Sequence, residues 1–477
     1  MAKRFFKLTA FILLLILCLT ALGCKRTQKR VNDQIHVCAE YFDNGLIGGF
    51  LTINYNKRYR GQENALFSVN PNIGAFGLEK PLRVLSVTDG VTELDYNFLD
   101  ESKSLLSVKL DKSKKCAQTI KISFVINLER CEKRLGVNAQ TVNLGNWLIL
   151  PCAYLDGKFV LPASVNFGDP FVSECADFKV ELTVPSQYTV ASSGLASSLD
   201  VAGDKTKYIY AQDGVRDFCF VLSKNYSVDQ IMVEANEQSQ GDNDNDKNQQ
   251  KAVYKPINYY FYGEIDSQSV LDITKKALTY FTQIYGEYPY ETLSVCNVTL
   301  DAGGMEYPAL VMVSDRLPFK DYCYALVHEI AHQWWYGVVG TNQIDEPFID
   351  EGLAEFSTAL FFESYPEYGI TYQSLIDNAK QTVSNYSEIS NALKLKPDLA
   401  LKKGLYEFKT QSQYVALCYK QSFLMFDSCK NAIGKEKLLS ALAQVYAKNA
   451  FGLITKDALF YSLKSVSPVL KSYYNGF

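Results

Sequence analysis

Val327-His328-Glu329-Ile330-Ala331-His332-Gln333-Trp334-Trp335 carries two of the three histidines in a chain of 477 residues. On a helix, residues four apart project from one face. His328 and His332 can therefore present both imidazoles to a single metal ion while Glu329 leans toward the same cleft. A histidine on an apolar helix face is ordinarily just a satisfied core residue, so the context has to decide. Leu326, Val327, Ile330, Ala331, Trp334 and Trp335 recur around the polar trio at helical spacing, which predicts a mostly buried helix. Three ionisable groups on such a helix are costly to bury without a shared cation. A third ligand is expected at Glu351, in Phe348-Ile349-Asp350-Glu351-Gly352-Leu353-Ala354-Glu355, which reads as the start of a second helix packing on the first. Two imidazoles and one carboxylate leave the fourth tetrahedral position open, the pattern of a catalytic rather than a structural zinc ion, one per chain.

Working outward, Asp266 to Gly286 has helical spacing through Val270, Leu271, Ile273, Leu278, Phe281 and Ile284. Two strand-like runs follow, Thr292 to Leu300 and Ala309 to Val313, and then mainly helices to the C-terminus. This predicts an α+β catalytic domain over residues 255–477. From Val31 to Val233 the pattern differs: short runs rich in Val, Ile, Tyr, Phe and Thr are separated by Gly, Asn, Asp and Pro. Gly49-Phe50-Leu51-Thr52-Ile53-Asn54-Tyr55 and Phe178-Lys179-Val180-Glu181-Leu182-Thr183-Val184-Pro185 are examples, and together the runs predict an all-β sandwich or saddle-like domain over 31–233. Between the two, residues 234–254 hold almost nothing that can be buried and read as a disordered polar loop or linker. Its acids lack the turn glycine and closing glutamate of an EF-hand loop, so calcium is not expected there.

A net charge of -4 with no basic patch interleaved with aromatics excludes nucleic acid as a partner. At the N-terminus, Lys3, Arg4 and Lys7 precede an apolar run from Leu8 to Leu22, then Gly23-Cys24 and a basic stretch. Residues 1–24 read as a bacterial export signal, and about fifteen apolar residues are short for a bilayer span. Thr20-Ala21-Leu22-Gly23-Cys24 resembles a lipobox, which makes Cys24 the expected lipidation site and the cell membrane an expected partner, with the chain facing outward. Of the 12 cysteines, ten remain beyond Cys18 and Cys24. Cys116 and Cys131 flank a strand-like run, and Cys219 in Phe218-Cys219-Phe220-Val221-Leu222 reads as a small core residue.

These pieces resemble the alanyl aminopeptidase family of zinc metallopeptidases, gluzincins that include leukotriene hydrolase. The resemblance rests on the His328-Glu329-x-x-His332 to Glu351 spacing, on His332-Gln333-Trp334-Trp335 and Asp350-Glu351-Gly352-Leu353-Ala354, and on Gly303-Gly304-Met305-Glu306-Tyr307, which is similar to the family's Gly-Ala-Met-Glu-Asn motif. Phe167-Gly168-Asp169-Pro170-Phe171 and Arg216-Asp217-Phe218 are similar to segments of its bacterial branch. The family implies a thermolysin-like catalytic domain acting on peptides. It implies Glu329 as the general base, and Gly303, Gly304, Met305 and Glu306 as substrate-binding residues, Glu306 holding the substrate's free ammonium. A tyrosine that stabilises the oxyanion is implied at Tyr419, within Cys418-Tyr419-Lys420-Gln421-Ser422, with Tyr414 and Tyr406 as alternatives. Two features depart from the pattern: Tyr307 stands where the family has asparagine, and Gln421 and Ser422 replace its lysine and glycine. The implied activity is aminopeptidase. The rivals are a zinc endopeptidase with an open cleft and a peptide-binding surface lipoprotein without catalysis.

Overall fold

The computed structural model describes residues 32–56, 62–74, 80–111, 113, 117–162, 164–165, 167–235 and 253–476. The export segment with Cys24, Cys116 and most of the polar stretch 234–254 lie outside the described residues. Among the described residues no helix is long and apolar enough to cross a membrane.

The N-terminal domain is built on a seven-stranded sheet of β1 (Asp33–Phe42), β2 (Leu46–Asn56), β3 (Leu82–Thr88), β4 (Ala117–Asn127), β5 (Ala176–Pro185), β6 (Ala196–Ala202) and β7 (Lys205–Val215). Their order across the sheet is β6-β7-β5-β1-β2-β4-β3. Period-2 alternation sets its buried face: Phe178, Val180, Leu182 and Val184 on β5 and Ile120, Ile122, Phe124 and Ile126 on β4 all point inward. Two four-stranded sheets pack with it. One contains Asn64–Val69 and Leu105–Lys109, the other Val142–Leu144 and Phe220–Ser223. The core they enclose includes Trp147 against Phe124 and Phe220. Each such side chain contributes about 1.5–3 kcal/mol on leaving water.

The catalytic domain begins with β8 (Ser227–Ala235) and β9 (Val253–Phe261), an antiparallel pair. β10 (Leu293–Val298), β11 (Gly304–Met305) and β12 (Leu310–Ser314) complete a sheet of order β8-β9-β10-β12-β11. β8 falls in the stretch that the sequence pattern assigns to the N-terminal domain and the start of the linker. Pairing with β9 makes it the first strand of the catalytic sheet, a long-range contact that composition does not signal. β10 is buried along its whole length and pairs in parallel with β9 and β12, so it reads as a continuous apolar run rather than an alternating one.

Helices cover this sheet. α1 (Ser267–Tyr285) is capped by the Asp266 side chain, which accepts from Ser269 N, and stops at Gly286 with φ 133°. α2 (Phe319–Ala331) carries the His-Glu-x-x-His segment, and a π-helical turn, Gln333–Val338, follows it. α3 (Phe348–Ser364) holds Glu351 in its first turn. α4 (Tyr372–Ala392), a second π-helical segment (Val415–Gln421), α5 (Ser422–Ile433) and α6 (Lys435–Asn449) complete the main helical layer. Residues 33–477 form one compact unit whose main core runs through both domains. Arg216 of the N-terminal domain is buried and donates to Tyr336 O at 2.7 Å, Ser173 O at 2.8 Å and Val338 O at 3.3 Å.

Candidate active site

α2 and α3 pack so that His328, His332 and Glu351 converge, all buried. The two Nε2 atoms lie 3.1 Å apart, and Glu351 Oε2 is 3.3 Å from His328 Nε2 and 3.5 Å from His332 Nε2. His332 Nδ1 sits 3.1 Å from the carbonyl of Trp335, which assigns the ring proton to Nδ1 and leaves a lone pair on Nε2. Glu351 Oε2 has no hydrogen-bond partner. Three buried electron-pair donors aimed at one point repel unless a cation lies between them. Ligand atoms bound at about 2.0–2.1 Å around a tetrahedral zinc stand about 3.3 Å from each other, and the three observed separations bracket that value. The donor set therefore fits zinc.

A second layer orients the donors. Glu355, one turn after Glu351 on α3, places Oε1 3.5 Å from His328 Nδ1, long for a full hydrogen bond but on the proton-bearing side of the ring. Glu355 is itself held by the Tyr324 hydroxyl at 2.5 Å and by Lys420 Nζ at 2.7 Å. Tyr419, from the π-helical segment, donates to Glu351 Oε1 at 2.6 Å and stacks on His328 with ring centroids 5.8 Å apart. Of the other two tyrosines, Tyr414 lines the same cleft 5.7 Å from the Tyr419 ring. Tyr406 is 63% exposed and lines a separate polar hollow, which removes it from the site. Ser422 stands where the family has glycine, and its size matters: its Oγ lies 2.7 Å from where a Cβ on Gly352 would be. The close approach of α3 and α5 needs both residues small.

The cleft has a volume of about 470 Å3 and takes its lining from both domains. β11 forms one wall as the edge strand of the catalytic sheet, and Glu306 follows it directly. A Cβ on Gly304 would lie 2.4 Å from Glu329 Oε1, so the strand lies directly against the Glu329 carboxylate. Gln333 braces this loop, donating to Tyr307 O at 3.0 Å and accepting from Ala309 N at 2.8 Å. Met305 lines the cleft and packs in a small apolar cluster with Leu300, Cys219 and Met312. Burial raises the Glu306 carboxyl to about 7, with Asp169 adding to the effect and His332 and Arg134 opposing it. Burial likewise pushes Glu329 well above the carboxylate range.

Tyr307 is buried and donates to Asn146 Oδ1 at 2.8 Å, while Asn146 Nδ2 donates to Asp217 Oδ2 at 3.1 Å. In this chain the residue that departs from the family motif therefore joins the two domains. The motif pattern gave no role to Glu355, Lys420 or Gln333, although each lies in a quoted segment, and did not mark Arg134 at all. Asp169 lies in a segment noted for its resemblance, but nothing local marks Arg134 as its partner across the cleft wall.

With this geometry in place, comparison with known proteins is decisive for the catalytic half: the profile described as Peptidase family M1 domain matches residues 269–473. Residues 269–473 thus resemble an M1 peptidase domain, over somewhat less than half of the chain. Comparison with curated proteins gives no match. Among solved structures, the M1 zinc metallopeptidase from Deinococcus radiodurans superposes with a TM-score of 0.62 at 14% identity, covering 93% of each chain. A point mutant of it bound to a Tyr-Ser-Ala substrate gives 0.60 at 13% identity, again covering 93% of each chain. The likeness extends through the N-terminal β domain as well as the M1 domain and confirms the two-domain architecture of β domain followed by α+β catalytic domain.

Proposed function

We propose that the chain is a zinc-dependent aminopeptidase that removes residues from the free amino end of peptides. The observation that carries this reading is the placement of Glu306: a buried carboxylate in the same cleft as the His328-His332-Glu351 cluster, at the end of an open edge strand. An extended peptide can add to the free edge of β11, as edge strands commonly accept strands. Its α-ammonium then meets Glu306 in a charge-assisted hydrogen bond and its first carbonyl lies toward the metal ligands.

His328, His332 and Glu351 would hold the zinc, which when bound would polarise the carbonyl and acidify water. Glu329, against Gly304, accepts the proton of the attacking water and returns it to the leaving amine. Tyr419, turning its hydroxyl proton from Glu351 Oε1, donates toward the oxygen that gains charge. Glu355, with Tyr324 and Lys420 around it, keeps the His328 ring oriented. We further propose, on the sequence of residues 1–24 alone, that the chain works outside the cytoplasmic membrane and is anchored through Cys24.

The test compares peptides with free and N-acetylated amines, with and without a chelator. Loss of all cleavage on chelation, with free amines strongly preferred, is expected. Equal cleavage of free and acetylated peptides would replace the aminopeptidase by an endopeptidase with an open cleft. No cleavage by zinc-loaded protein that still binds peptides would favour the non-catalytic lipoprotein.

A further inference from the structure

Arg134 and Asp169 form an ion pair on the β-domain wall of the cleft, with side chains only 16% and 10% exposed. Both act electrostatically on Glu306. The pair is unexpected there. A site whose only task is to hold an ammonium gains from two acids, yet this one commits Asp169 to a buried guanidinium that opposes the ammonium. The position of Arg134 is well fixed: its backbone carbonyl accepts from Gly145 N at 2.8 Å, and its guanidinium lies over the Phe171 ring at 5.6 Å. Asp169 engages Nη1. Among the described residues no other side chain bonds the guanidinium, so its Nε–Nη2 edge is left for a ligand. That edge is a planar pair of donors matching a carboxylate.

We propose that Arg134 is a specificity-determining residue, its Nε–Nη2 edge pairing with the side-chain carboxylate of an N-terminal Asp or Glu whose α-ammonium rests on Glu306. The inference rests on the aminopeptidase reading above. A guanidinium can serve two carboxylates from two edges, Asp169 from one and substrate from the other. An N-terminal Lys or Arg meets like charge at the Arg134 guanidinium and is disfavoured.

The experiment uses zinc-loaded full-length protein in detergent and the p-nitroanilides of Glu, Asp, Ala and Lys. The parent should cleave the Glu substrate roughly 10- to 100-fold better than the Lys substrate in kcat/KM, the range of a charge-assisted hydrogen bond. In Arg134→Gln the Glu-to-Lys ratio should fall to about one or below, because Asp169 then faces the substrate alone. Arg134→Gln combined with Asp169→Asn removes both charges and guards against misfolding from an unpaired buried acid; its ratio should also collapse. A purely structural ion pair would change thermal stability and leave the ratio alone. If neither variant folds, competitive inhibition of the parent decides: L-glutamate must bind more tightly than L-lysine, and equal inhibition overturns the proposal. A parent that cleaves free-amine substrates with Lys equal to or better than Glu, or a ratio unmoved in both variants, also overturns it while leaving the aminopeptidase reading intact. Cleavage of acetylated peptides alone overturns both together.

Discussion

Gly304→Ala tests the catalytic geometry with a single carbon. The added Cβ would lie 2.4 Å from Glu329 Oε1, 2.6 Å from Cγ and 2.7 Å from Cδ. Ordinary contact begins near 3.4 Å, so the Glu329 carboxylate must retreat by about 1 Å. It is the end of a flexible side chain and can do so, which means the fold should survive. The three metal ligands are untouched, so zinc content should stay at about one per chain. The base, however, is then misplaced by a distance that typically costs about 10²-fold, or about 2.7 kcal/mol of barrier. Steady-state kinetics on a free-amine substrate, metal analysis and thermal melting together separate the effects: kcat should fall about 10²-fold with zinc and melting temperature near parent values. Gly303→Ala is the internal comparison, because a Cβ there meets nothing within 4 Å, and it should lose far less. A Gly304→Ala enzyme with parental kcat would refute the placement of β11 against a catalytic Glu329. A loss confined to KM would instead mean that the methyl blocks substrate.

Four further outcomes follow from the site. His328→Ala and His332→Ala should each lose both zinc and turnover, read by elemental analysis and rate. Glu329→Gln should keep zinc while kcat drops about 10²- to 10⁴-fold, so that metal and rate separate. Glu355→Gln, which weakens the hold on His328 Nδ1, should lower zinc affinity about 10- to 100-fold in a competition titration against a chelator. Tyr419→Phe should cost about 10²- to 10³-fold in kcat and Tyr414→Phe much less; the reverse order would transfer the oxyanion role to Tyr414.

The parts of the site that were legible in the sequence are those set by short-range geometry. His328 and His332 share a face because a helix repeats every 3.6 residues, and the apolar residues around them announce that helix. Strands such as Ala176–Pro185 show in period-2 alternation, and α1 shows in its Asp266 cap and Gly286 stop. What was not legible depends on contacts between distant segments. Arg134 meets Asp169 across 35 positions and Lys420 meets Glu355 across 65. The position of Lys420 also depends on the π-helical segment Val415–Gln421, whose extra residue per turn shifts which side chains face α3. Tyr307 looked like a defect in a substrate-binding motif because its partners, Asn146 and Asp217, come from another domain. The strand Ser227–Ala235 looked like the end of the first domain because its partner lies beyond a polar stretch.

These long-range contacts tie the region matched by the M1 profile to the β domain. His332 is oriented by the carbonyl of Trp335, and the next carbonyl along, that of Tyr336, accepts from Arg216 at 2.7 Å. Arg216 belongs to the N-terminal domain and, among the described residues, its guanidinium bonds only to backbone carbonyls, tying Tyr336 and Val338 to Ser173. The turn that sets the tautomer of a candidate metal ligand is thus braced from the other domain. The same domain contributes Asp169 and Arg134 to the cleft wall and anchors Tyr307, one residue after Glu306. Burying a guanidinium is costly unless its donors are satisfied, and here carbonyls from both domains satisfy them inside a core that runs through both. On the reading proposed above, the β domain is therefore part of the site in a physical sense: it braces the main-chain turn beside His332, a proposed zinc ligand, and sets the charge around Glu306, the carboxylate proposed to receive the substrate's amine.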